Sequence, residues 1–369
     1  MNRRLFSKNR TYIILGIIYS LFLYFIYRKT GIVTINEAEK YISAADELLS
    51  GNIAFVFEHH LFYSSYIFFI APFLKAGGIP VVVAAQVIVN FVAAICLKKT
   101  VEVILPNSRF SVLALLIYLF SYPVQYWALT LFSDNFFVSL ICITLYFTIK
   151  KKTITELLIW VFLLFLLVFA RPPGIFLSFV FGFYYLYDKK IFTPNLLRMA
   201  AAIVLTTLFS ALFYLPVETK GYIKPIAAGC IIVDKPDYDV PAFNNIEKSS
   251  LADAYVYLIK QNGIVKTIAL YFGKFVSFFT LTRPYYSFLN NCILALHYLL
   301  YALAFIGLWK LKTNRSIFML FASAIFLVGN LTALTYNEWH YRFTLAIFPF
   351  LIILAVAALD LLTNKIKPA

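Results

Sequence analysis

The sequence predicts an all-α integral membrane protein, a bundle of about ten transmembrane helices with amphipathic surface helices in its first outer loop. Three observations predict it. First, 62% of the 369 residues are hydrophobic and 19% aromatic, with a mean hydropathy of +0.84, which no water-soluble domain carries. Second, apolar runs recur from end to end, at roughly 11–27, 61–74, 79–97, 110–129, 133–149, 156–187, 199–216, 268–281, 286–309, 316–335 and 343–362. Third, the ionisable residues gather at the ends of those runs, where charge is least costly and most often functional.

Taken in order, the run after MNRRLFSKNR extends from Thr11 to Tyr27 and is followed by Arg28 and Lys29, with no small-residue cleavage site. It reads as an uncleaved first transmembrane helix. The run 61–74 is too short to span and lies along the membrane surface, ending near Lys75 and Gly77-Gly78. The run 156–187 is too long for one helix and breaks into two at Arg171-Pro172-Pro173. With the N-terminus inside, about 18 of the 32 basic residues fall on the inner side. They include Lys98, Lys99, Lys150, Lys152, Lys310 and Lys312. The net charge of +15 therefore reflects sidedness, and no nucleic-acid partner is implied. Four scattered cysteines, Cys96, Cys142, Cys230 and Cys292, form no CxxC and imply neither a disulfide framework nor a redox site.

Residues 1–369 thus read as a single transmembrane domain. The outer side owns two long loops. One is 29–79, with juxtamembrane helices; the other is 217–267, a cover for an acceptor or donor. In the first, TINEAEKYISAADELLSGN spaces Tyr41, Ala44, Ala45 and Leu48 on one apolar helix face. Asn36 or Thr34 caps its start and Gly51 ends it. Glu37 lies one turn before Tyr41, so its carboxylate heads the apolar stripe, where desolvation suits a general base. Glu37 also fits the acid of a Thr34-x-x-Glu37 capping box, and Glu39 is a second candidate base. Glu58, His59 and His60 form either a ligand set for a divalent metal ion or an interfacial polar cluster. Asp134 opens a helix, where the dipole favours an acid in any case. Arg171, Lys274, Arg283 and Arg342 stand at outer helix ends, where sidedness gives no reason for cations. They meet a phosphate or snorkel to lipid headgroups. Glu338 lies beside Arg342, and His297, inside an apolar run, reads as a hydrogen bond between helices.

The order of these motifs resembles membrane glycosyltransferases of the GT-C superfamily, in particular the branch of protein O-mannosyltransferases and the aminoarabinose transferase of lipid A. Glu37-x-x-x-Tyr41-x-x-x-Ala45 fits that branch's first outer-loop frame, with glutamate where the family has aspartate. Tyr122-Pro123, Ser133-Asp134, Arg171-Pro172-Pro173-Gly174, Tyr341-Arg342-Phe343 and Pro349 follow in the family's order over about residues 10–360. The resemblance implies a GT-C-like bundle and a polyprenyl-phosphate-linked sugar donor, used on the extracytoplasmic face of a bacterial inner membrane. The acceptor is a hydroxyl of a lipid, glycan or protein. It implies Glu37 and Asp134 as catalytic residues and Arg171, Arg342, Lys274 and Arg283 around the donor phosphate. Tyr41, Glu39 and Glu338 are implied at the substrate. A flippase for lipid-linked sugars and an envelope glycan polymerase or ligase are the rival readings.

Overall fold

A computed structural model of the chain describes residues 2–106, 108–150, 152–191, 193–214, 220–238, 240–241, 243, 249–338 and 340–365. In chain order the helices are α1 Asn2–Thr30, α2 Glu37–Leu49, α3 Ile53–His60, α4 Ser64–Ile104, α5 Ser111–Phe120, α6 Tyr122–Gln125, α7 Ser133–Ile149 and α8 Ile154–Val168. They continue as α9 Pro173–Asp188, α10 Pro194–Tyr214, α11 Lys220–Ala227, α12 Leu251–Phe279, α13 Phe288–Ala295, α14 Tyr298–Leu311, α15 Arg315–Leu334 and α16 Phe348–Lys365. A small antiparallel hairpin, β1 Cys230–Ile232 with β2 Lys235–Pro236, interrupts them. The protein is a helical membrane protein. Among the described residues five helical stretches are long and apolar enough to cross a bilayer: Arg10–Thr30, Ile53–Ile104, Phe288–Leu311, Arg315–Leu334 and Arg342–Thr363.

The breaks within the helices follow local chemistry. In α4, Gly77 and Gly78 leave helical geometry, Gly78 at φ 72°, where a side chain would be strained. This is the end expected for the short 61–74 segment. Gly263, at φ 77°, likewise divides α12, separating Leu251–Asn262 from the apolar stretch that follows. The run 156–187 divides at the expected Arg171-Pro172-Pro173 step. The run 110–129 differs from expectation. It is not one straight span, because α5 stops at Phe120 and the next helical segment is bent from it by 53°. Pro123 has no N–H to give, and in a continuous helix its ring would collide with the Leu119 carbonyl.

The chain forms two compact units. One comprises Met1–Ser178, Leu296–Thr313 and Phe348–Ala369; the other comprises Phe179–Ala295 and Asn314–Ile347. In the first, α16 is the core: Phe350 to Ala358 are all buried. It packs on α14 so closely that a Cβ at Gly307 would overlap the Leu354 carbonyl, the close approach that small residues permit between membrane helices. Lys310 Nζ and Asp360 Oδ2, 2.7 Å apart, tie the same two helices.

Neutral polar side chains then clasp five helices of this unit around Asn90. Its Nδ2 donates to the Tyr19 hydroxyl at 2.6 Å and to Gln125 Oε1 at 2.7 Å. Its Oδ1 accepts from the Tyr118 hydroxyl at 2.7 Å and from the Ser139 hydroxyl at 3.4 Å. Tyr19 donates to Gln125 Oε1 at 2.6 Å. Buried polar groups need partners, and here each supplies one for the next. His297, as expected, bonds between helices: its Nε2 lies 3.1 Å from Ser121 Oγ, at the bend after α5.

In the second unit α12 packs on α15 and α11, with Ile223, Ile226, Ala227, Leu251 and Ala254 forming a local apolar core. The hairpin rests on α12 at Gly273, where a Cβ would meet Ile231 at 2.9 Å.

Candidate active site

The first unit builds a polar cluster at the start of α2, α4 and α7. α2 is amphipathic as expected, burying Ala38, Tyr41, Ala44 and Ala45. Its start is not the expected capping box. The helix begins at Glu37 itself, and Asn36, at φ 61°, precedes it without a side-chain cap bond. Val33 is bridged to Thr130, its N–H donating to the Leu129 carbonyl and its carbonyl accepting from Leu131, both at 3.1 Å. That bridge sets α2 against the entry to α7. The Tyr41 hydroxyl lies 3.4 Å from Ser133 Oγ, and its ring meets Tyr66 edge-on at 5.2 Å.

Lys40 stands over the Tyr41 and Tyr63 rings, at 4.8 and 4.7 Å, and its ammonium is 3.8 Å from Glu37 Oε1. The Glu37 side chain keeps 34% of its surface exposed. Its carboxylate therefore stays reachable from water, where the sequence placed it against the membrane body. Glu39 faces away, around a shallow open hollow with Ile42, Ser43, Asp46, Glu47 and Ser50. That hollow lies on the opposite side of the helix from Tyr41 and has none of the cluster's chemistry.

Asp134 and Arg171, treated separately in the sequence, form one ion pair: Arg171 Nη1 binds Asp134 Oδ1, and both side chains are buried. The Arg171 turn is held in place by the Ser65 N–H, which donates to the Phe169 carbonyl at 3.0 Å. Gly174 is required just after it, because a Cβ there would overlap the Leu167 carbonyl. Asn135, next to Asp134, was missed. It is 1% exposed, and among the described residues neither its amide nitrogen nor its oxygen has a hydrogen-bond partner. An asparagine in an apolar helix carries no signal until its neighbours are known.

Glu58, His59 and His60 do not converge on a metal. On α3 they fan out by about 100° per residue, and the imidazoles are engaged with Phe55. His59 stacks on it at 4.6 Å, and His60 meets it edge-on at 5.8 Å. Among the described residues no group of three or more His, Cys, Asp or Glu is placed to hold a metal ion. Of the two readings the sequence offers for this cluster, the rings pack on Phe55 as in an interfacial polar cluster.

The second unit holds the other three cations, all buried: Lys274, Arg283 and Arg342. They lie on two segments stitched together, the end of α12 with the turn after it and the stretch 335–344. Asn337 Nδ2 donates to the Ser277 carbonyl at 2.8 Å, and Thr344 donates to the Phe278 carbonyl. Asn337 also pairs with the hairpin edge, its N–H donating to the Ile231 carbonyl at 2.8 Å. Lys274 is 0% exposed; its ammonium donates to the Thr335 carbonyl at 2.7 Å and lies 5.8 Å from the Tyr255 ring. Arg283 has a long contact from Nη2 to the Ser277 carbonyl, 3.5 Å, and its Nε is buried without a partner. Among the described residues neither cation has a carboxylate within 4.0 Å.

Arg342 does have one, Glu338 Oε1 at 3.9 Å. The intervening Tyr341 turns the chain through φ 48°, a conformation uncommon outside glycine. His340 stacks on Tyr286, the rings 6° from parallel. Burial, and then the nearby Arg342, lower its pKa from the ordinary 6.5.

Comparison with known proteins adds no relative: no family model, curated protein or solved structure matches this chain.

Proposed function

We propose that the protein is a multi-span glycosyltransferase that moves a sugar from a polyprenyl-phosphate carrier to an acceptor hydroxyl. In this reading it has a GT-C-like bundle of about ten spans and works on the extracytoplasmic face of a bacterial inner membrane. The observation that carries the reading is two buried cations in the second unit, Lys274 and Arg283, neither with a carboxylate within 4.0 Å among the described residues. Burying a charge without a counter-charge is costly. Such cations support an anionic ligand, and a lipid phosphate is the anion a membrane-embedded site would meet.

The reaction needs few parts. The acceptor oxygen attacks the anomeric carbon, and its proton passes to Glu37. The bond from the anomeric carbon to the phosphate oxygen breaks, and its electron pair leaves with the phosphate, inverting the centre. Lys274, Arg283 and Arg342 offset the charge that grows on the phosphate. Glu37 meets one requirement of a general base, since its side chain stays reachable. Asp134, held by Arg171, would orient the sugar near Tyr41 rather than bind a metal.

The test compares cells expressing wild type, Glu37→Gln and Arg342→Ala at matched protein levels. Polyprenyl-phosphate sugars and envelope glycans are quantified by mass spectrometry. Donor accumulation together with loss of one glycan modification in both variants is expected, and names the sugar. Unchanged pools in Glu37→Gln remove it as the base and favour a flippase.

A further inference from the structure

We propose that the first unit carries a binding site for the headgroup of an anionic phospholipid, formed by Lys98, Lys99, Lys150 and Lys152 on the rings of Tyr12, Tyr146 and Trp160. It does not depend on the transferase reading.

The site is assembled from the end of α4 and the connection between α7 and α8. Lys99 and Lys150 share one ring, their ammonium groups 5.7 and 5.0 Å from the Tyr146 centroid. Lys152 stands 4.9 Å over Trp160 and donates to the Thr148 carbonyl at 3.1 Å. The Trp160 indole N–H donates to the Thr148 hydroxyl at 3.0 Å, which fixes that ring. Lys98 reaches the Tyr12 hydroxyl of α1 at 3.3 Å. Rings of this kind hold flexible lysine stems at one level and favour the charged form above their faces.

Charge selects an anion. Glu102 lies 2.8 Å from Lys98, and Glu156 pairs with Lys150. Lys99 has no carboxylate within 4.0 Å among the described residues, yet it shares a ring with a second ammonium. A phosphate there supplies the counter-charge that Lys99 lacks.

The surroundings select a lipid over a soluble anion. The cationic level borders apolar surface left open on α1 and α8, where Ile13, Ile17, Ile154, Leu158 and Phe162 are all exposed. An amphiphile with an anionic head and acyl chains covers both parts at once. A free phosphate covers only the first. Basic pockets between membrane helices recognise lipid headgroups in this way.

The experiment uses the full chain in nanodiscs of phosphatidylcholine, with or without phosphatidylglycerol, reading thermal unfolding and retained lipid by native mass spectrometry. Phosphatidylglycerol is expected to stabilise the wild type. Lys99→Gln/Lys150→Gln is expected to bind it more than tenfold more weakly, at roughly fivefold per lysine. Glu156→Gln keeps the capping box with Thr153 but removes the competing carboxylate, so tighter binding is expected. This second variant keeps the test informative if the double variant folds poorly. Equal binding by all three proteins overturns the proposal. So does a stabilisation reproduced by inorganic phosphate in phosphatidylcholine discs, which would make this a site for a soluble anion.

Discussion

The two units treat buried charge in opposite ways. In the first, Arg171 and Asp134 neutralise each other. In the second, Arg342 has Glu338 at 3.9 Å, but Lys274 and Arg283 are buried with no carboxylate within 4.0 Å among the described residues, Asp237 acting on Lys274 only from farther away. A compensated pair locks a turn in place and needs no ligand charge to balance it. Buried cations without a near carboxylate reduce the stability of the empty protein, and under the proposed function the donor phosphate would supply their counter-charge. Under the proposed function the difference separates an ion pair that positions a turn from cations that meet the donor phosphate, although Arg171, Lys274 and Arg283 all stood at similar helix ends in the sequence.

The sharpest way to break the comparison is to remove one partner from each region. Arg171→Met leaves Asp134 buried without its ion-pair partner and is expected to cost about 3–5 kcal/mol, while Asp134→Leu/Arg171→Met recovers most of the loss. Unfolding of the purified variants checks this. Losses that simply add would show that the two do not act as a pair.

Lys274→Met is expected to go the other way. Unfolding stability should not fall by more than about 1 kcal/mol, because relief of the buried charge offsets the lost hydrogen bond to the Thr335 carbonyl. Transfer of the lipid-linked sugar should fall by roughly a hundredfold or more. Destabilisation as large as that of Arg171→Met would make Lys274 architectural.

Asn135→Leu sharpens the comparison with a neutral group. A buried amide with both ends unpaired costs about 1–3 kcal/mol, so the variant should be more stable by about 1 kcal/mol. A less stable variant would reveal a partner for the amide.

The smallest expected effect is a pH dependence at His340. Its folded pKa is lowered, so the unfolded chain binds the proton more readily. The stacked arrangement is at full strength above the ordinary value of 6.5 and weakens as pH falls toward the folded value. Local unfolding of the 335–344 stretch, followed by hydrogen exchange, should quicken over that window in wild type and not in His340→Phe.

Much of the fold was legible because it is written locally. Gly77-Gly78 and Arg171-Pro172-Pro173 announce breaks through backbone chemistry alone, and the α2 stripe follows from spacing. The bend after α5 is also local, at Pro123; Tyr122-Pro123 was read as a motif, but the run 110–129 was not divided there because it is apolar throughout. The candidate site was legible as residue types but not as pairings. Asp134 and Arg171 are 37 positions apart, and Lys274 and Thr335 are 61 apart. Only packing brings such groups together. The Asn90 clasp was invisible for a further reason: its members are uncharged, and asparagine, glutamine and tyrosine in a membrane helix announce neither partner nor role.

That clasp also constrains the order in which the protein can be made. Asn90 is synthesised after Tyr19 but before every other member, and its carboxamide oxygen accepts only from Tyr118 and Ser139 in the network described. Until α5 and α7 pack beside it, α4 carries an amide oxygen that lipid cannot satisfy. Passage of α4 into lipid ahead of them is therefore unfavourable, and its docking is coupled to theirs.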